Sequence, residues 1–448
     1  METVVETMPE TVDPREQWET AFEQQEVGLK AGFPEWLFPL RKAAMARFDE
    51  IGFPTSSDED WRFTNVKAIA ALPPVFSQQA ANVEGIELPA GHPLLKLDCD
   101  LVVFRDGVLQ IELSSAIQDG DGIFVGSLVQ AFAHPTLGPL FESRFAGQRE
   151  VEENGFEALN TAFAREGLAI YLGANRRLKK PIHIVYLSEG KEPVETRFIR
   201  NLIIGEANSE AVLLESYLGG GAGAYANNVV SEFGLGDQAR WEHCRFQDEL
   251  KTSYHLSTLH LRMGRGAHLA SHSFALGAAL SRSNIRLKLN GQDGEGILNG
   301  LYLTDDNRVA DHHMIVDHAK PHCLSHEYFN GILDGTSKGI FHGRIHVRQE
   351  AQKTDAKQTN RNLLLTDQAT ADAKPQLEIY ADDVKCTHGA TVGQMDEDAI
   401  FYLRARGIAL EEAKRILMHA FASEIVDRVQ WEPLRDRLNE LVWTRLEK

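Results

Sequence analysis

The chain has 448 residues, of which 43% are hydrophobic and 25% charged, and its formal net charge at pH 7 is −19. This composition is typical of a globular protein with room for two or three domains and a sizeable core. The negative charge disfavours nucleic acid and anionic membrane surfaces as partners, because both attract basic proteins.

The cysteines indicate a reducing compartment. Cys99, Cys244, Cys323 and Cys386 lie far apart and form no CxxC pair, so a disulfide framework is not expected. No apolar run reaches the roughly 18 residues that a membrane span needs. The acidic first residues resemble neither a secretory signal nor a basic transit peptide. We therefore expect a cytoplasmic protein.

Residues 1–160 are predicted to form a mainly helical region with some strands. Trp18, Phe22, Val27 and Leu29 recur at the spacing of one helical face. The segment PTSSDEDWRFTNV supplies capping residues and a turn.

Residues 161–393 change to short runs of branched and aromatic residues separated by polar or glycine turns. Gly205, Gly236, Gly264 and Gly291 recur about every 28 residues, a spacing that indicates repeat architecture. No helical pattern separates the strands, so a βαβ fold is excluded, and a β-solenoid or a large sandwich remains. We favour the solenoid, because runs such as NLIIG lack the alternation of a half-exposed sheet.

Residues 394–448 return to helical spacing. DEDAIFYLRARG ends in Gly407, a plausible helix C-cap. Leu417 and Phe421 lie on the apolar face of the next helix. This region either packs on its own domain as a cap or docks a partner, and these two side chains are our candidates for partner contacts.

The stretch DDVKCTHGAT, residues 382–391, contains the first candidate site. In a strand, Cys386 and His388 share one face and are separated by about 6.6 Å along the chain. A thiolate and an imidazole at that spacing suit one borderline metal. Two ligands are too few for a stable site, so the pair is either half of a shared site or a buried cysteine beside a hydrogen-bonded histidine.

A second candidate is the histidine-rich stretch DHHMIVDHAKPHCLSHE, residues 311–327. Strand alternation places Asp311, His313 and Asp317 on one face, and His312 and His318 on the other. No metalloprotease spacing is present, so structural roles are favoured for most of these side chains.

Two glycine-containing motifs lack the context that catalysis requires. GTSKG, residues 335–339, matches a nucleophile elbow, but a strand-like segment follows where a helix is needed. GGGAGA, residues 219–224, is not followed by the lysine of a phosphate loop. We therefore expect no nucleotide site in this chain.

Residues 339–408, above all the run PQLEIYADDVKCTHGATVG, closely resemble the signature region of the SufB/SufD family of iron–sulfur cluster assembly proteins. EDWRFTN, residues 59–65, resembles the N-terminal segment of that family, and DHHMIVDHAKPHC fits the region before the signature. The resemblance runs from about residue 55 to the C-terminus. It favours the SufD branch, because the SufB branch differs at CTHGAT and carries a scaffold cysteine motif that this chain lacks.

The resemblance implies a right-handed parallel β-helix flanked by N- and C-terminal helical domains. It implies that the chain pairs with a SufB-like paralogue through the β-helix and binds a SufC-type ATPase through the C-terminal helices. Cys386 and His388 match the family's cysteine and histidine at the paired interface, where they would contribute ligands to a nascent iron–sulfur cluster or iron shared with SufB. The chain would then be a non-catalytic scaffold, with a homodimer as its state without SufB.

Two other functional classes compete with the scaffold. One is a stand-alone metalloprotein or metalloenzyme that uses the histidine-rich stretch 311–327. The other is a carbohydrate-active β-helix enzyme that uses Asp382 and Asp383, but adjacent strand residues face opposite sides and cannot flank one bond.

Overall fold

The computed structural model describes residues 13–76, 88–89, 91–145 and 154–447. The N-terminal part is helical up to residue 70. Trp18, Phe22 and Leu29 are buried as predicted, whereas Val27 is 82% exposed. The chain leaves helical geometry at Gln25, so the helical phase that the spacing assumes is broken there. The helices are α1 (Pro14–Gln24), α2 (Glu26–Lys30), α3 (Leu37–Ile51) and α4 (Lys67–Ala70), with a short 3-10 helix at Glu59–Trp61.

Residues 93–163 mix short strands with short helices. Two 3-10 helices lie at Pro93–Lys96 and Ile111–Leu113. The strands are β1 (Asp100–Arg105), β2 (Val108–Leu109), β3 (Gln118–Gly120) and β4 (Ile123–Ser127), and the helices are α5 (Leu128–Ala133), α6 (Gly138–Arg144) and α7 (Gly155–Phe163).

Sixteen strands then follow one another with no helix between them, and successive strands alternate between two sheets. The first of the two sheets contains β6 (Ile182–Gly190), β8 (Glu210–Gly221), β10 (Arg240–Asp248), β12 (His268–Ala275), β14 (Glu295–Thr304), β16 (Leu324–Leu333), β18 (Asp355–Leu364) and β20 (Lys385–Gly393). The second contains β5 (Leu168–Leu172), β7 (Glu195–Gly205), β9 (Tyr225–Leu235), β11 (Tyr254–Met263), β13 (Leu280–Leu289), β15 (Val309–His318), β17 (Lys338–Val347) and β19 (Thr370–Ile379).

Neighbouring strands within the solenoid pair in parallel, for example β10 with β12 and β11 with β13. This pattern is a β-solenoid, which confirms the predicted fold. We call the two sheets the even sheet and the odd sheet, after the numbers of their strands. The N-terminal strands extend both, because β1 pairs in parallel with β6, and β4 pairs antiparallel with β5.

The recurring glycines lie where the turns of successive coils stack. The backbone N–H of Gly236 donates to the carbonyl of Gly205 over 2.7 Å. A Cβ added at Gly291 would lie 2.0 Å from the backbone nitrogen of Arg265. Because real Cβ atoms do not approach backbone so closely, the stacked turns require glycine, and this explains its recurrence at the repeat spacing.

Helices cover the outer faces of both sheets, and this explains the apolar runs without alternation. In NLIIG on β7, Ile203 points into the solenoid interior, whereas Leu202 and Ile204 pack outward against helical residues. Over the even sheet lie α9 (Leu410–Val426) and α10 (Glu432–Arg445), which follow α8 (Glu397–Arg404). Within the described residues, no helix is long and apolar enough to cross a membrane.

Candidate functional site

The C-terminal end of the solenoid is formed by β19 and β20, each the last strand of its sheet. All residues of β20 are exposed except the half-buried Cys386. Tyr380 and Val392 are 61% and 49% exposed at this end. An edge strand presents unpaired N–H and C=O groups and is therefore able to pair with another chain.

Cys386 and His388 both lie on β20, where they align with Ala356 and Gln358 of β18. Cys386 packs against the apolar interior cluster of the solenoid. Burial raises the pKa of its thiol, as does the charge of Asp355. His388 is exposed. Within the described part of the chain, no group of three close metal-ligating side chains includes either residue.

The buried carboxyl group of Glu327 lies two strands before His388 in the even sheet, at the aligned position of the ladder. Glu327 of β16 aligns with Gln358, which in turn aligns with His388. The amide of Gln358 donates to the Glu327 carboxyl group. Burial raises the pKa of Glu327 to about 8, so this side chain is protonated at neutral pH. Glu327 belongs to the histidine-rich stretch, but spacing alone gave it no role.

The histidine-rich stretch is not assembled into one site. His312 points into the interior beside the Tyr302 ring, with 5.2 Å between ring centroids. Asp311 forms a buried ion pair with Arg282 over 2.5 Å. His318 contacts the Ser325 hydroxyl at 2.9 Å. The opposite orientations of His312 and His313 confirm the predicted alternation, and these contacts give most of the side chains structural roles.

His313 contributes instead to a cluster that sequence spacing did not reveal. Its Nε2 lies 3.6 Å from Asp60 Oδ1, and Nδ1 of His342 lies 3.9 Å from the same oxygen. Burial lowers the pKa of both histidines, with a further contribution from the Arg282 charge at His313, so both rings are neutral. Asp60 lies within EDWRFTN and His342 within the signature region, so only the fold brings them to His313.

The two glycine motifs have the structures expected from their contexts. After the turn at GTSKG, the chain enters β17 from Lys338 onward, and no helix follows. GGGAGA covers the end of β8 and the turn to β9. Neither motif therefore has the strand–turn–helix context of a nucleophile elbow or a phosphate loop.

The C-terminal helices differ in how much apolar surface they leave exposed. Leu417 and Phe421 of α9 are both half-buried, and the Phe421 ring lies 5.2 Å from the Arg361 guanidinium. α8 has no buried residue, and its Phe401 and Tyr402 are 73% and 56% exposed. Spacing alone did not single out these two aromatic residues.

Comparison with known protein families shows to which family this β-solenoid belongs. Residues 186–421 match the family model for the SufBD core domain of the SUF system for iron–sulfur cluster assembly. Residues 12–184 match the model for the SufBD N-terminal region. The chain therefore belongs to the SufBD family of iron–sulfur cluster assembly proteins, as the signature residues predicted.

Individual relatives include proteins named SufD. The chain is 31% identical over 418 residues to the SufBD family protein slr0076 of Synechocystis, an alignment that covers 90% of each chain. It is 29% identical over 443 residues to SufD of Escherichia coli, covering 98% of each. It is also 27% identical to SufD of Bacillus subtilis, covering 91% of this chain and 94% of the relative.

Proposed function

We propose that the chain is a non-catalytic scaffold subunit for iron–sulfur cluster assembly, and that its C-terminal solenoid end pairs with a SufB-like paralogue. The observation that carries this proposal is the position of Cys386 and His388 on β20, the exposed last strand of the even sheet. A second solenoid laid against β19 and β20 would satisfy their unpaired backbone groups and cover Tyr380 and Val392.

The ligand chemistry also favours a shared site. A thiolate and an imidazole suit iron or an iron–sulfur cluster, but cluster ligation requires more ligands than two. In this proposal the paralogue supplies the rest, and the cluster or iron is cargo shared across the interface. His388 would bind iron through a neutral ring nitrogen, and Cys386 would act as a thiolate or support the site.

A SufC-type ATPase would dock on the C-terminal helices, with Leu417 and Phe421 as the predicted contacts. The exposure of Phe401 and Tyr402 on α8 adds a second apolar surface in the same region. ATP-driven movement of the ATPase subunits would strain the paired solenoids and expose the buried interface, so that a partner's hydrolysis gates assembly.

The four cysteines are free thiols, which suits the reducing cytoplasm that we expect.

Native mass spectrometry of the chain purified anaerobically with its SufB-like and ATPase partners tests the assembly. We expect a complex of one copy of this chain, one SufB-like chain and two ATPase subunits. The isolated chain is expected to form a homodimer. A chain that never associates with either partner would contradict the proposal.

The ligand role is tested by His388→Ala in the complete complex, with iron and sulfide content as the readout. The matched control is His346→Ala. His346 is a partly exposed histidine of β17, hydrogen-bonded to Glu378 over 3.0 Å. We expect cluster loading to be lost in His388→Ala and retained in the control. Equal loading in both variants would exclude His388 as a ligand.

A further inference from the structure

The cluster of Asp60, His313 and His342 lies on the outer face of the odd sheet, on the opposite sheet from Cys386 and His388. His313 and His342 face outward from the neighbouring strands β15 and β17, and Asp60 approaches from the 3-10 helix Glu59–Trp61. We propose that these three side chains bind one divalent transition-metal ion, of the zinc or iron(II) class. The inference does not depend on the function proposed above.

The distances between the candidate ligand atoms fit a single ion. Asp60 Oδ1 lies 3.6 Å from His313 Nε2 and 3.9 Å from His342 Nδ1, and all three atoms lie within 4.8 Å of one another. Nitrogen and oxygen ligands bound to zinc at about 2.0–2.1 Å in a tetrahedron are roughly 3.3–3.5 Å apart. Side-chain rotation alone can therefore close the site, and water would complete the coordination.

The charges at the cluster also favour a cation. Asp60 pairs with no lysine or arginine in the described ranges, and its ionic contacts are with the two neutral histidines. The charges of Arg282, Arg286, Arg344 and Lys374 also reach the two histidines. Three of these groups have other acceptors, since Lys374 pairs with Glu59, Arg282 with Asp311 and Arg344 with Glu378. One carboxylate facing two neutral imidazoles is a donor set suited to zinc and to iron(II).

One buried polar atom points to a missing partner. His313 is 4% exposed, and its Nε2 has no hydrogen-bond partner among the residues that the structure describes. Leaving a buried polar atom unpaired is unfavourable. A metal ion bound at Nε2 would remove this unpaired group, provided that the ring proton first moves from Nε2 to Nδ1.

In each histidine, the ring nitrogen that would not bind the metal has a hydrogen bond. This bond favours metal binding at His342 and opposes it at His313. Nε2 of His342 donates to Gln376 Oε1 over 2.9 Å, which leaves its Nδ1 free as a ligand. Arg282 donates to Nδ1 of His313 over 2.9 Å, so the proton of that neutral ring resides on Nε2. Metal binding must move this proton to Nδ1 and displace Arg282 from it. Arg282 remains held by Asp311 and Asn284, so we expect binding weaker than at a closed structural zinc site.

The test is titration of the untagged, chelator-treated full chain with Co²⁺, followed by visible absorption, and with Zn²⁺, followed by calorimetry. We expect one equivalent of each ion to bind. Asp60→Asn and His342→Ala should each weaken binding at least tenfold, and Gln376→Leu should weaken it about tenfold, as is typical for loss of an outer-shell contact.

The controls separate this site from the end of the solenoid. His346→Ala, on the same strand as His342, and the double variant Cys386→Ala/His388→Ala should both keep the bound equivalent. Circular dichroism checks that each variant is folded. The proposal is wrong if no saturable binding tighter than about 100 μM occurs, if Asp60→Asn and His342→Ala bind like wild type, or if only the double variant loses the metal.

Discussion

The two ends of the solenoid differ in what covers them. At the N-terminal end, which we call the covered end, β1 and β4 continue the two sheets and each pairs antiparallel with one further strand, β2 or β3. Val102, Val103 and Phe104 of β1 are 0% exposed. At the C-terminal end, the described chain adds no strand beyond β19 and β20, and the backbone edge and apolar side chains remain exposed. At the covered end, short antiparallel strands and the residues around them pack against the apolar interior, although β3 itself is exposed. At the C-terminal end, which we call the open end, the parallel ladder stops at β19 and β20, where the proposed function would place a second chain.

Two buried carboxyl groups form a second contrast, one on α7 beside the middle of the odd sheet and one near the open end. Burial alone would raise the pKa of Glu157 in α7, but the charge and hydrogen bond of His260 lower it to about 2. Glu327, two strands from the open end, has only the Gln358 amide as a partner, and burial raises its pKa to about 8. The carboxylate on α7 is therefore compensated by its contact with His260, whereas burial keeps the carboxyl group near the open end neutral.

The largest effect on the free energy of unfolding is expected from Phe104→Ala, which creates a cavity at the covered end. Phe104 is fully buried and stacks on Tyr186 with 4.9 Å between ring centroids. Phe104→Ala should lower the free energy of unfolding by about 3–5 kcal/mol, because the removed ring leaves a cavity. Urea denaturation measures this loss. A loss below about 1 kcal/mol would mean that the covered end is not a packed core.

Glu327→Gln at the open end should stabilise the protein at neutral pH. The carboxyl group has a folded pKa of about 8 and an unfolded value of about 4.3, so wild-type stability falls as pH rises between these values. The total loss is of the order of 5 kcal/mol. The variant should not show this loss in urea unfolding at pH 5 and pH 8. Parallel pH profiles of the two proteins would show that Glu327 is not buried as a neutral acid.

Glu157, which lies against the middle of the odd sheet, should give the opposite pH dependence. Its folded pKa of about 2 lies below the ordinary value, so its contribution is present above about pH 4.3 and is lost as pH falls towards 2. The contribution is of the order of 3 kcal/mol. Glu157→Gln should therefore be less stable than wild type at pH 7, and the difference should shrink on acidification. An acid transition unchanged in the variant would contradict this assignment.

The smallest effect on stability, and the largest on pairing, is expected at the exposed edge. Val392→Asp should change the free energy of unfolding by less than about 0.5 kcal/mol, because the side chain is on the surface. If the edge pairs with a SufB-like chain, the same substitution should weaken that complex at least tenfold in native mass spectrometry. Val27→Asp is the matched control, since Val27 is an exposed valine on α2, far from the edge in sequence. Loss of the complex in both variants would exclude a specific edge interface.

Sequence reasoning predicted those features that depend on local chemistry. The glycine spacing and the absence of helices between strands predicted the solenoid, because several stacked turns, such as those at Gly236 and Gly291, leave no room for a Cβ. Strand alternation correctly placed His312 and His313 on opposite faces. The prediction that Val27 lies on the buried helical face is wrong, because a break between two short helices changes the phase of the apolar spacing.

Features that depend on long-range packing could not be predicted. Asp60 meets His313 and His342 only because the 3-10 helix packs on the odd sheet. The protonated state of Glu327 follows from its depth in the interior, which spacing does not encode. The roles of Cys386 and His388 were inferred from a resemblance, and the fold adds that both lie on an exposed edge strand.

The stacking of parallel coils has a consequence for how the molecule opens. Each coil is hydrogen-bonded only to the coil before it and the coil after it, so local unfolding in a solenoid proceeds most easily from an end that lacks a neighbour. Among the described strands, β20 is hydrogen-bonded in a ladder only to β18. Amide hydrogen exchange should therefore be fastest in β20 and become progressively slower towards β10. A second chain bound at this end would suppress the local unfolding and slow the exchange of β20.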